Sequence, residues 1–339
     1  MVRAGRERQW QQVRMADVAA AAGVSRATVS RVLSGDPAVV ESTAAAVREV
    51  IDRLGYRPNR AAQALMGASR TLGVVFGQPP ERSSALLLAA MQEAATERGY
   101  TLTVAIATDH EGEQLRRGLD SMVDQRVAAA MVLPATELNA QVLAEVEVPF
   151  PMVSTTDLGP EPPCSVVALD EVGAVDLVVQ HLQEIGRRRI MHLGGRRETL
   201  VARFRRERWE ALVGDPDLFE SAGAWSARAG YEALHKAAAR GVRPDAVFAG
   251  ADDIALGVLR AAAELGLRVP EDLAVAGFGG LPATEFYGPG LTTAETDLRE
   301  RGRLAVEECL LRLADPDAPP SRRLLPAQLV VRGSTVPSA

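Results

Sequence analysis

The chain has 339 residues, 47% of them hydrophobic and 24% charged, with a formal net charge of −6. No apolar run is long enough to span a bilayer, and Cys164 and Cys309, the only cysteines, supply neither a disulfide framework nor a zinc site, so membrane spans and disulfide-built secreted scaffolds are excluded. The charge is unevenly spread: eleven Arg against six acids give residues 1–70 a charge of +5, which leaves −11 on the remainder.

In chain order, the first predicted elements are helical. Met15, Val18, Ala19 and Ala22 recur at helical spacing and give a first helix one apolar face. Gly23 supplies a tight turn, Val24 plugs it into a small core, and Ser25 caps a second helix. Val29, Val32 and Leu33 form the buried side of that helix, which leaves Arg26, Ala27, Thr28, Ser30 and Arg31 facing outward. Val47, Val50, Ile51 and Leu54 mark a third helix by the same spacing. Two helices joined by a tight turn, closed by a third, form a helix-turn-helix whose second helix fits the major groove of DNA. A plain helical hairpin with a charged rim shares the spacing. The basic charge of this module on an acidic body favours the DNA reader, because phosphate contacts need cations gathered on one part.

Pro58 ends the three-helix unit, and Asn59–Met66 can form two turns of helix that stop at Gly67. So short a helix is marginal alone. Leu65 on it serves either as a wedge between base steps in the minor groove or as a linker residue packed on the body; both readings stand on the residues alone.

After Thr71 the pattern becomes alternating strand and helix. Strands are predicted at 72–76, 102–107, 128–133 and 152–154, with a helix over 85–98 stopped by Gly99. The rhythm restarts after Asp170, with a helix to Ile185, a strand at 190–193, a helix, a strand at 247–249, a helix over 254–265 and a strand at 273–276; a last strand is predicted at 325–331. Two rounds of alternation predict two parallel α/β lobes, and facing lobes make a ligand cleft at the carboxyl ends of their strands. Catalysis finds little support. Gly277-Phe-Gly-Gly280 lacks the helix-opening third glycine of a dinucleotide site, there is no phosphate loop, and His110, His181, His192 and His235 have no paired spacing for a metal or a dyad. Three readings of the body remain: a sensor, an enzyme, or a solute-binding domain with the N-terminal helices as an interaction module.

The run from Asp17 through Ala22-Gly23-Val24-Ser25 and Thr28-Val-Ser-Arg-Val-Leu33, with Gly55-Tyr-Arg-Pro-Asn59 and the Ala-x-x-Leu of 62–65, resembles the lactose-repressor (LacI/GalR) family of bacterial transcription regulators, from about residue 13 to about 335. The resemblance implies a helix-turn-helix domain over 13–58, a hinge helix and linker over 59–70, and over 71–339 an effector-binding and dimerisation domain, two-lobed and periplasmic-binding-protein-like, with chain crossings near Asp170, Thr293 and Arg323. By position it gives base-edge contacts to Arg26 and Ala27, a groove contact to Arg31, phosphate contacts to Thr28 and Ser30, minor-groove placement to Asn59 and Ala62, and the operator wedge to Leu65. The chain departs from the family pattern at Val40, where a Ser or Thr usually caps the third helix. It departs again at Ala44, Ala45 and Ala46, where polar residues often hold phosphates.

For the effector, the resemblance implies Arg205 as the pocket arginine, Trp225 as a stacking aromatic, and Asp252 as the acid of a motif whose partner amide is here Ala251. Gly279 and Ser154 stand where the family commonly has acids, and the loop Gln78–Ser84 has no aromatic. Sugar hydroxyls are held by paired acceptors and donors. Losing acceptors while keeping Arg205, with Arg203 near it in sequence, biases the site toward anions; a neutral sugar, an anionic metabolite and no effector all stay open. The expected protein is a cytoplasmic repressor, not an enzyme and without cofactor or metal. It binds a palindromic double-stranded operator as a homodimer, and no heptad tail follows the last strand to build a tetramer.

Overall fold

The computed structural model describes residues 13–34, 36, 38–56, 69–107 and 112–336, and these fall into two compact units that part between Ser69 and Arg70.

In the first unit, helices α1 (Met15–Ala22), α2 (Arg26–Ser34) and α3 (Glu41–Leu54) enclose one apolar cluster. The Asp17 carboxylate accepts from the Arg14 amide at 2.7 Å and starts α1. Gly23 ends it at φ +67°, a conformation that costs a side-chain-bearing residue and not glycine. Val18, Val29 and Val47, one from each helix, are fully buried, with Val24, Leu33, Ile51 and Leu54 packed around them. Tyr56 and Ala44 join this core. Ala44 is therefore a packing residue and not a lost phosphate contact; among the three alanines, only Ala45 and Ala46 are exposed.

The second unit holds two six-stranded sheets. The first has the order β11-β5-β4-β3-β1-β2 and is wholly parallel; its strands are β1 (Thr71–Phe76), β2 (Thr101–Ile106), β3 (Ala129–Leu133), β4 (Met152–Ser154), β5 (Ser165–Leu169) and β11 (Arg322–Leu325). The second has the order β12-β10-β9-β8-β6-β7, built from β6 (Ile190–Gly194), β7 (Phe219–Ser221), β8 (Ala246–Ala249), β9 (Ala274–Gly279), β10 (Thr292–Glu295) and β12 (Gln328–Val330); its one antiparallel pair is β10–β12. Parallel strands covered on both faces read as continuous apolar runs, and β1, β5 and β8 do.

Helices α4 (Arg82–Glu97) and α11 (Leu298–Ala314) cover one face of the first sheet through Leu87, Met91, Leu304 and Cys309. Helices α5 (Glu113–Asp124) and α6 (Glu137–Glu145) cover the other through Leu115, Leu119 and Val142. In the second lobe α7 (Glu171–Glu184), α8 (Leu200–Val213), α9 (Ala227–Ala239) and α10 (Asp252–Glu264) share one core. Its largest fully buried side chain, Trp209, donates from Nε1 to the Ile190 carbonyl at 3.1 Å. A Cβ on Gly257 would run into the backbone of Ala227, and one on Gly230 into that of Ile254, so paired glycines set the close crossing of α9 and α10.

The chain passes between lobes at Asp170, at 296–297 and at 326–327. The predicted last strand over 325–331 is two strands in different sheets, because Pro326 removes a ladder donor and the chain crosses there.

Candidate DNA-reading surface and interlobe cleft

The outward face of α2 carries the residues expected to read DNA. Arg26 and Ala27 open the helix and are exposed, as is Arg31, whose Nε lies 3.9 Å from Asp36 Oδ2. Ser25 Oγ accepts from the Thr28 amide at 3.0 Å and lies 2.9 Å from the Thr28 hydroxyl. That satisfies one of the free amides at the helix start and fixes the angle at which the first turn is presented. Thr28 and Ser30 are half-buried at the edge of the face. Helix α3 starts at Val40 with no side-chain cap, and Glu41 in its first turn pairs with Arg48 at 2.8 Å. Asn59, Ala62 and Leu65, and the hinge helix expected over 59–66, lie outside the described residues.

Between the lobes of the second unit lies a cleft of roughly 170 Å³ at the carboxyl ends of the strands. Phe76, Leu133 and Leu169 line it from β1, β3 and β5, and Phe278 and Gly279 from β9. At its centre Arg205, on α8, is buried. Its Nε donates to Glu171 Oε2 at 2.7 Å, its Nη1 donates to the Gly250 carbonyl, and its guanidinium lies 3.7 Å from the centroid of the Phe278 ring. Glu171 is the first residue of α7, placed by the first crossing, where Asp170 Oδ1 caps the helix on the Gly173 amide. Trp225 lines the same space with its ring backed against Gly195 and centred 5.5 Å from the Arg205 guanidinium.

The other predicted effector residues separate. Ala251 and Gly279 line the cleft. Asp252 lines it too, but its carboxylate is already engaged, with Oδ1 accepting from the Thr293 hydroxyl at 2.6 Å and Oδ2 from the Leu281 amide at 2.7 Å. Burial pushes its pKa above the usual carboxylate range against those bonds. Asp252 thus ties α10 to the loop after β9. Ser154 does not line the cleft. It is fully buried, its hydroxyl donating to the Thr156 carbonyl at 2.7 Å and accepting from the Thr156 amide, so it closes a turn and its neighbours Thr155, Thr156 and Asp157 face the space instead. Arg203 is held by Glu137 of the other lobe at 2.7 Å and is not a lining residue.

Three groups in the cleft carried no sequence signal. Glu81 and Arg82 precede or open α4; Arg82 Nε reaches Asp253 Oδ2 of the other lobe at 3.3 Å. Burial raises the Glu81 carboxyl to about 7, with Arg196 opposing the rise and Asp253 adding to it. Arg301, in the first turn of α11, lines the cleft near Glu171 and Arg205; burial pulls its guanidinium down to about 10, Glu171 opposing and Arg205 adding. The lobes also meet where the Leu200 amide donates to the Ala135 carbonyl at 2.8 Å and Thr136 bridges Thr199. His181 and His192 sit in the second lobe: His192 is fully buried, stacked on Phe248 at 4.6 Å with Nδ1 3.0 Å from the Phe248 carbonyl.

A three-helix reader and a two-lobed α/β domain with a polar cleft define a ligand-responsive transcription regulator, and comparison with known proteins agrees. Residues 14–59 match the model of bacterial regulatory proteins of the lacI family, and residues 179–335 match a periplasmic binding protein-like domain. The ribose operon repressor of Escherichia coli K12 is 30% identical over 329 residues, covering 94% of this chain and 99% of that protein. The HTH-type transcriptional regulator MalR of Streptomyces coelicolor is 34% identical over 342 residues, covering 95% of this chain and 96% of that protein. Among solved structures, the lac repressor dimer bound to operator and the anti-inducer ONPF superposes with a TM-score of 0.87 at 29% identity, covering 96% of this chain and 99% of that one. The chain belongs to the LacI family and is a DNA-binding transcription regulator.

Proposed function

We propose that the protein is a cytoplasmic repressor that binds a palindromic operator as a homodimer and is controlled by a small polar effector held between its lobes. The observation that carries this is the conjunction, in one chain, of an exposed, Ser25-capped reading helix with a polar cleft centred on the Arg205–Glu171 pair. Two copies of a helix-turn-helix read two half-sites, so the operator mirrors the symmetry of the dimer. Among the described residues no helix is long and apolar enough to cross a membrane.

Arg26 is assigned the principal base contact, because its planar fork matches the two acceptors of a guanine edge, with Ala27 beside it leaving room. Arg31 further along reaches into the groove, Thr28 and Ser30 position the helix on the backbone, and Asn59, Ala62 and Leu65 are assigned to the minor groove. In the cleft Arg205 and Trp225 frame the effector, while Asp252 holds the wall. A ligand that binds one relation of the lobes better than another shifts their population, and only one relation suits the operator-bound dimer. The structures of a lac repressor dimer on operator and of a CelR–cellobiose complex (TM-score 0.69, 30% identity) support this division of labour. Selection of bound duplexes from a random pool with the full chain tests the proposal. A palindrome with two half-sites is expected, and enrichment of a single unrepeated site would overturn the dimeric reading.

A further inference from the structure

Helix α11 carries four arginines, Arg299, Arg301, Arg303 and Arg312. Three have carboxylate partners: Arg299 with Glu93, Arg303 with Glu300 and Glu307, and Arg312 with Glu308. The Arg301 side chain has no hydrogen bond or ion pair among the described residues, and its Nε is sealed from solvent without a partner. It is also placed where a cation is least favoured, in the first turn of a helix, whose free amides already carry positive charge. Glu171 is the nearby carboxylate, and Arg205 engages it at 2.7 Å. Two guanidiniums thus share one carboxylate at the centre of the cleft, and the uncompensated cation lines the open space. A half-buried cation whose sealed Nε has no partner is costly, and a site that keeps one is built for a group not yet in it.

We propose that the cleft takes a small monocarboxylate, whose carboxylate pairs with the Arg301 guanidinium while Arg205 stays bound to Glu171. This rests on the reading of the cleft as the effector site and narrows it from a polar metabolite to one anionic class. The planar guanidinium fork matches a carboxylate with two parallel hydrogen bonds. A phosphate dianion fits less well, because Glu81, Asp157, Glu171, Asp252 and Asp253 line the same space and would repel a second charge. A neutral sugar leaves Arg301 without its counter-ion.

The test is thermal unfolding of the full chain, wild type and Arg301→Met, with acetate, L-lactate, D-gluconate and D-glucuronate at roughly 10 mM. The neutral counterparts D-glucitol and D-glucose, and D-glucose 6-phosphate, are run beside them. At least one carboxylate is expected to raise the Tm of the wild type by several degrees where its neutral counterpart does not. R301M should weaken that carboxylate at least tenfold. Without ligand, R301M should melt no lower than wild type, since it loses an uncompensated charge and keeps the volume. Equal stabilisation of wild type and R301M by D-glucose or D-glucitol would overturn the inference and leave the cleft as effector site. Stabilisation of wild type by glucose 6-phosphate alone would overturn the carboxylate in favour of a phosphate. A response to none of the compounds, or ligand-free R301M melting below wild type, would overturn it as well. Should R301M not fold, Arg301→Lys keeps the charge and loses the fork, and an unchanged carboxylate response in R301K would count against the bidentate pairing.

Discussion

Replacing Glu171 by Ala tests the architecture of the cleft. The carboxylate lies 2.7 Å from Arg205 Nε, with side-chain exposures of 9% and 11% for Glu171 and Arg205. Removing one partner of a buried ion pair costs about 3–5 kcal/mol, because the other charge is left desolvated. Arg205 keeps the Gly250 carbonyl and the face of Phe278, each able to offset about 1 kcal/mol, so the lower end of that range, about 3 kcal/mol, is expected. The stranded group is the arginine, so Arg205→Met in the Glu171→Ala background should recover part of the loss. The double variant should then be at least about 1 kcal/mol more stable than the two single losses added together. Urea unfolding of the full chain, followed by tryptophan fluorescence, measures this, since Trp209 is fully buried in the second lobe. A loss below about 1 kcal/mol, or strictly additive variants, would refute the claim that Glu171 neutralises Arg205 in a desolvated site.

Other outcomes follow from the same geometry. Ser25→Ala removes the cap on the Thr28 amide and should cost the three-helix unit about 1 kcal/mol, read as a lower midpoint by circular dichroism. Arg26→Ala should cost about 1–3 kcal/mol of operator affinity and relax the preference at one base pair per half-site, read by fluorescence anisotropy on single-substitution duplexes. Glu81, raised from 4.5 to about 7 by burial, binds its proton more tightly folded than unfolded. Its contribution to stability is therefore full below pH 4.5 and lost as pH rises through about 7, and Glu81→Gln should flatten that decline in a denaturation series. His192, pushed from 6.5 down to about 4 by burial, acts oppositely. Its share is full above pH 6.5 and lost as pH falls through about 4, so Gln at 81 should leave the acid limb of the profile in place.

The reading helix was legible in the sequence because it is local. Val18, Val29 and Val47 sit at spacings that leave one way to close three helices around them, and a glycine at φ +67° marks the turn. The lobes were legible as a rhythm, but their short edge elements were not. Strand β7 has three residues, too few for a period, and β11 and β12 merge into one apolar run unless Pro326 is read as a crossing. Of the residues expected in the cleft, Arg205 and Trp225 line it, whereas Ser154 turns inward because its hydroxyl is consumed by the Thr156 backbone. Arg301 escaped because its meaning depends on what fails to reach it. Four arginines in a charged helix look alike until three acquire partners from residues near and far in sequence.

That this chain reads a specific DNA sequence is tested most directly by the affinity of the full chain for its selected palindrome against a scrambled duplex at physiological salt. A ratio of at least about 10³ is predicted, falling sharply for Arg26→Ala. Equal affinity for the two duplexes would contradict the claim.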